Sequence, residues 1–172
     1  MPTSSLCECG SHVWLALKSW AVMVDADDEH VLAAQSWRVQ KSLNTSYVVY
    51  AKRFDGRKVV TMLHRVIMDV SSRGMLVDHV NRCGLDNRRC NLRLANHAEN
   101  MRNRKQHKSS SLMFKGIEER KNRKTRTFRA VLRIDGVRIR GKYRLTQEDA
   151  AKDYDNLAAR HHGQFASPNI HT

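Results

Sequence analysis

Apolar positions in the first third of the chain come in short runs separated by polar or acidic residues. VWLALKSWAVMVD, YVVYAKRF and RKVVTML alternate or run apolar over the length of a strand. Between them DADDEHVLAAQSW opens on Asp25, Asp27 and Asp28 and continues as a short amphipathic helical turn. Three aspartates this close are either caps or calcium ligands, but their spacing is not that of an EF-hand loop. LHRVIMDV predicts a short helix with Leu63, Val66 and Ile67 inward. Residues 75–80 then alternate as a strand. A polar loop with Gly84 and an Asp86-Asn87 turn follows. Residues 91–95 predict a second strand and residues 96–106 a helix, with Ala98, Met101 and Arg102 on adjoining faces.

The polar stretch KQHKSSS reads as a linker. Beyond it FKGIEER, TFRAVLRI and VRIRGKY predict three strands, and Asp135-Gly136 between the last two is a hairpin signal. TQEDAAKDYDNLAARHHG predicts an amphipathic helix. Thr146 is its N-cap, Asp149 completes a capping box with Asp in place of Glu, and Gly163 is its stop. The expected fold is α+β: a β-rich region over 1–60, a strand-loop-strand-helix unit over 61–105, a linker at 106–112, and three antiparallel strands with one helix over 113–172.

Charge changes this picture from a fold to a partner. Of 172 residues, 31 are Lys or Arg and 17 Asp or Glu, a net charge of +14. Residues 77–145 alone carry a net +14, against +2 before them and −2 after. A continuous basic stretch of this kind is the footprint of a phosphate-contacting surface, so double-stranded DNA is the expected partner. A basic ribosome-associated or membrane-surface role is the alternative. No run approaches the roughly 20 apolar residues of a membrane span, and MPTSSLCECGSH lacks the apolar run of a secretion signal. Cys7, Cys9, Cys83 and Cys90 form no paired C-x-x-C knuckles, which favours free thiols in a reducing cytoplasm over a zinc site.

The chemistry lies in VDHVNRCGLDNRRCNLRLANHAENMRNRK, residues 77–105. Hydrolysis of a phosphodiester needs a base for the water, a divalent cation at the scissile phosphate, and cationic side chains on the backbone. His79 can be the base, and oxygen donors from Asp and Asn suit magnesium. Residues three apart share a helix face, so spacing alone does not choose between His97 and Asn100 as a ligand. His64 can contact a phosphate or pack under the cleft.

LHRVIM, VDHVNRCGLDNRRCNLR and ENMRNR together resemble the HNH endonuclease motif of phage and intron-encoded homing endonucleases over residues 62–105. The resemblance implies a ββα-metal unit, with His79 as general base and Asn91 bracing the loop and keeping His79 oriented. It implies Asp78 and Asn100 as ligands of Mg2+ or Mn2+, with His97 the alternative to Asn100. Arg88, Arg89, Arg93, Arg102 and Arg104 become backbone contacts.

FKGIEER, FRAVLRI, IRGKY, TQEDAAKDYDNLAARHHG and FASPN resemble the ethylene-response-factor-type DNA-binding domain, also called the Apetala-two family, over residues 114–170. Phe128 stands where that family has Trp, and Arg140 where it has Leu. The resemblance implies a sheet in the major groove presenting Arg120, Arg129, Arg133, Arg138 and Arg140. Together the two resemblances imply a DNA endonuclease, a monomer rather than a dimer, that nicks one strand per active site. It would act without a small-molecule substrate, in the cytoplasm of a bacterial host or phage-infected cell. A DNA-binding regulator with a degenerate nuclease unit is the alternative.

Overall fold

Among the described residues, ten strands in four small antiparallel sheets, with four α-helices, make this a mixed α+β chain. The computed structural model describes residues 12–43, 45–72, 74–103, 111–122 and 124–170. Cys7, Cys9, Arg104 and most of the expected linker lie outside these residues. The chain forms two units, Met1–His97 and Ala98–Thr172.

In the first unit, β1 (His12–Leu17) and β2 (Trp20–Asp25) form a hairpin. α1 (Glu29–Ala33) follows a 3-10 turn that holds Asp27 and Asp28, with Asp25 closing β2 just before it. β3 (Arg38–Lys41), β4 (Ser46–Phe54) and β5 (Arg57–Met62) form a sheet in the order β3-β4-β5. Asp55 and Gly56 both adopt positive φ, 48° and 71°, and make a tight turn between β4 and β5. α2 (Leu63–Ile67) follows directly, and β6 (Leu76–His79) pairs with β7 (Leu92–Ala95).

A single core of Val22, Val24, Leu32, Trp37, Val48, Leu63, Ile67, Val77 and Leu92 joins these elements. It draws on residues from both sides of position 60, so the β-rich start and the strand-loop-strand segment are packed as one body. In α2, Leu63 and Ile67 are inward as expected, but Val66 is 37% exposed and His64 takes the buried place. Residues 63, 64 and 67 share one side of so short a helix, and that side meets β4 and β5. The second strand begins at Leu92 rather than Asn91, because residues 89–91 wind into a 3-10 turn.

The second unit opens in α3 (His97–Arg102), within which the division between units falls. β8 (Ile117–Lys121), β9 (Arg126–Ile134) and β10 (Val137–Arg140) form a sheet in the order β10-β9-β8, and α4 (Gln147–His162) covers it. Phe128, Ala130 and Leu132 alternate inward on β9 against Ala150, Tyr154 and Ala158 of α4. The alanines allow close approach, and Gly116 closer still: a Cβ there would stand 1.9 Å from the Tyr154 ring. The Thr146 hydroxyl accepts from Asp149 N at 3.1 Å, capping the helix, and donates to the Asp149 carboxylate at 2.8 Å, so the Asp149 side chain meets the hydroxyl in place of the Thr146 backbone N–H of a full capping box.

Candidate functional site

The strand β6 ends on Asp78 and His79, and both are buried, 7% and 5% exposed. Adjacent strand residues point to opposite faces, so each side chain meets a different environment. Asp78 is cross-strand from Arg93, whose Nε and Nη2 both donate to its Oδ2, at 2.8 and 2.6 Å. His79 lies against His64, ring centroids 4.8 Å apart and nearly perpendicular, and against Tyr47 of β4 at 6.0 Å.

Burial pushes the His79 pKa below its ordinary value; the Asn87 side chain and the Asp78 and Asp86 carboxylates pull the other way but do not offset it. His64 is pushed down to about 3, by burial first and then by His79 and Arg65. Both rings are therefore neutral at neutral pH. Burial, and then the nearby Asp78 carboxylate, push the Tyr47 hydroxyl up.

The loop between β6 and β7 is held shut by its own polar groups. Asn91 is buried; its Oδ1 accepts from Asn81 N at 2.9 Å and its Nδ2 donates to Asp86 O at 2.7 Å. Its backbone carbonyl accepts from Val80 N at 2.9 Å, one residue past His79. The Asn81 side chain donates to Asp86 and accepts from Cys83 N. Gly84 lies flat on β4: a Cβ would be 2.4 Å from Ser46 O and 2.7 Å from the Tyr47 ring, so no other residue fits without displacement. The loop also pairs with the N-terminal hairpin, Met23 N donating to Leu85 O and Asn87 N to Met23 O.

Three of the arginines expected at a DNA backbone hold carboxylates of the same unit, Arg89 while remaining exposed. Arg88 grips Asp86 at 2.8 Å, Arg89 grips Asp28 at 2.8 Å and Arg93 grips Asp78. Burial alone would raise Asp86, but the Arg88 guanidinium outweighs it and holds that carboxyl below its usual value. The Asp25 carboxylate accepts from Arg89 N at 2.7 Å. Within the acidic run, Asp28 is thus the counter-charge of Arg89 and Asp25 anchors the Arg89 backbone, while neither makes the side-chain cap hydrogen bond that the cap reading expected.

Asp78, His79, Asn91 and Arg93 come together in the first unit. His97, exposed, is the last residue of that unit; Asn100 and Arg102, both half-buried, belong to the second. Asn87, fully buried beside His79, and Tyr47 were not singled out by the sequence pattern. Asn87 reads as an ordinary turn residue, and Tyr47 sits 32 positions away from His79. Cys83 and Cys90 are exposed.

In the second unit, register places all five expected arginines on one face. Arg129 and Arg133 point away from α4, Arg120 is beside Thr127, Arg138 beside Arg133, and Arg140 beside Val131. Arg129 is ion-paired to Glu118, and Arg120 and Arg129 lie over the Tyr143 ring, 5.5 and 4.7 Å from its centroid. Arg133 and Arg138 are exposed.

Comparison of the chain with family models, with curated proteins and with solved structures returns no match. No described helix is long and apolar enough to cross a membrane.

Proposed function

We propose that the chain is an HNH-type DNA endonuclease that hydrolyses one phosphodiester bond per active site and holds its duplex through the second unit. One observation carries the reading: a buried, neutral imidazole at the end of β6, next to Asp78, under a loop tied down by Asn91. His79 takes the proton of the attacking water as the bond to the departing 3′ oxygen breaks. A base must be unprotonated to act, and burial keeps His79 so at neutral pH. His64 and Tyr47 confine the ring, and Asn91 fixes the backbone that follows it.

The donor chemistry suits a divalent ion. No group of three His, Cys, Asp or Glu side chains assembles among the described residues. A cation here would draw on the Asp78 carboxylate, water and phosphate; the second protein ligand that the HNH resemblance implies, Asn100, belongs to the other unit. Mg2+ favours such a set, because it keeps several waters and takes few protein ligands. When bound, Mg2+ or Mn2+ supplies Lewis-acid charge at the scissile phosphate. Arg93 holds Asp78 in place and competes with the ion for it.

Five arginines on one sheet face, backed by a helix, match the charge and shape demanded by a DNA groove. The test is nicking of supercoiled plasmid with Mg2+ and with chelator. His79→Ala should lose about 10²–10⁴-fold in rate while keeping its DNA affinity. Metal-dependent nicking by that variant at the wild-type rate would overturn the assignment. Tight duplex binding with no nicking by the wild type would favour the regulator.

A further inference from the structure

The outer half of the β4–β5 hairpin is a second basic surface, unlike the loop arginines in one respect: its charges are not held by carboxylates among the described residues, and only Lys52 has another partner, its Nζ lying 5.6 Å from the centroid of the Tyr50 ring. β3 pairs with β4 only over residues 46–49, so beyond Val49 the ribbon has two strands and no flanking strand among the described residues. Every residue from 51 to 60 is exposed. Lys52, Arg53, Arg57 and Lys58 face a single acid, Asp55, and none of the four makes an ion pair among the described residues. Arg53 and Lys58 stand directly opposite one another. Like charges at paired positions repel, and a polyanion relieves them. Phe54, 78% exposed, sits at the tip, with Val59 and Val60 behind it at 49% and 42%. An isolated ribbon is marginal in water, but this one is rooted in the three-stranded sheet and closed by the tight Asp55-Gly56 turn.

We propose that this hairpin is a DNA-contacting arm that enters the major groove beside the cleavage site. A two-stranded ribbon fits a groove roughly 12 Å wide. The charge sign selects a polyphosphate, and charge on both ribbon faces suits contact with both groove walls: Lys52 and Arg57 lie on one, Arg53 and Lys58 on the other. The arm and the site share strand β4, since Tyr47 at its base contacts His79. At about 3.3 Å per residue, positions 51 to 54 lie roughly 13–23 Å from Tyr47, or about four to seven base pairs at ~3.4 Å each. That placement rests on the nuclease reading; the arm's affinity for duplex does not.

The experiment uses the full chain and a labelled random-sequence duplex, read by fluorescence anisotropy through a salt titration. The variant K52Q/R53Q/R57Q/K58Q changes only exposed side chains, so its melting curve should match the wild type. Each lost phosphate contact should reduce the slope of log affinity against log salt by about 0.9, up to roughly 3.6 for four. Phe54→Ser should weaken binding at unchanged slope. Methylation of guanine N7, in the major groove, should interfere with wild-type binding four to seven base pairs from the nick and not with the quadruple variant's. An unchanged slope in a folded quadruple variant overturns the arm, as does tighter binding to double-stranded RNA than to DNA. If the slope falls but the wild type never nicks, the arm stands and the nuclease reading fails. If the wild type nicks and the slope does not fall, the reverse holds.

Discussion

Lowering the pH should destabilise the first unit through His64, at a pH where carboxylates have little part. His64 is 4% exposed, its Nδ1 finds no hydrogen-bond partner among the described residues, and its folded pKa is about 3. In the unfolded chain its pKa is about 6.5. Between those values the unfolded state binds a proton that the native state refuses, so stability falls as the pH falls. The loss begins below pH ~6.5 and runs at about 1.4 kcal/mol per pH unit for one such group, or about 2.7 kcal/mol by pH ~4.5. His79 contributes in the same direction, and the two rings oppose each other's protonation. Asp86, held low by Arg88, adds its own loss only near and below the ordinary carboxylate value of 3.8. All three tryptophans, Trp14, Trp20 and Trp37, lie in the first unit, so their fluorescence in urea reports that unit alone. The urea midpoint should drop steadily from pH 6.5 to 4.5 in the wild type. In His64→Gln it should drop less, by the equivalent of about 2–3 kcal/mol over that interval. Parallel curves for the two proteins would refute the account of a buried neutral imidazole.

Two further outcomes are expected. Asn91→Ala strips two hydrogen bonds from the closed loop and leaves Asp86 O without its buried partner; it should cost about 2–4 kcal/mol in urea unfolding and slow nicking by displacing His79. Asn100→Ala should lose more Mg2+-dependent nicking than His97→Ala, with Asn100→Asp retaining part of the rate; a dead His97→Ala beside an active Asn100→Ala would exchange the two ligands.

What was legible in the sequence is what neighbours along the chain decide. Alternation within residues 126–134 marked Phe128, Ala130 and Leu132 as the inner face of β9, because successive strand residues point oppositely. Thr146 with Asp149, and Asp135 with Gly136, mark a helix start and a hairpin turn for equally local reasons. The matching Asp55-Gly56 turn carries the same signal and closes the arm.

Tertiary structure alone decided which of these elements share a core and which charges are spent. Arg89 and Asp28 are 61 positions apart, and only the fold shows that they form an ion pair. Parity within each strand could not tell that Arg120, Arg129, Arg133, Arg138 and Arg140 share a face; interstrand register did. His64 took the packed place that was one of its two readings, and Val66 turned outward against expectation, because a helix of five residues has its inner side chosen by the sheet it lands on. Gly84 gives no sign in the sequence of the 2.4 Å approach that excludes a Cβ. Periodicity and capping depend on atoms a few bonds apart, so the chain declares them. Contacts between distant segments depend on how the whole unit packs, and only the folded chain settles which buried neighbours set a pKa or pair a charge.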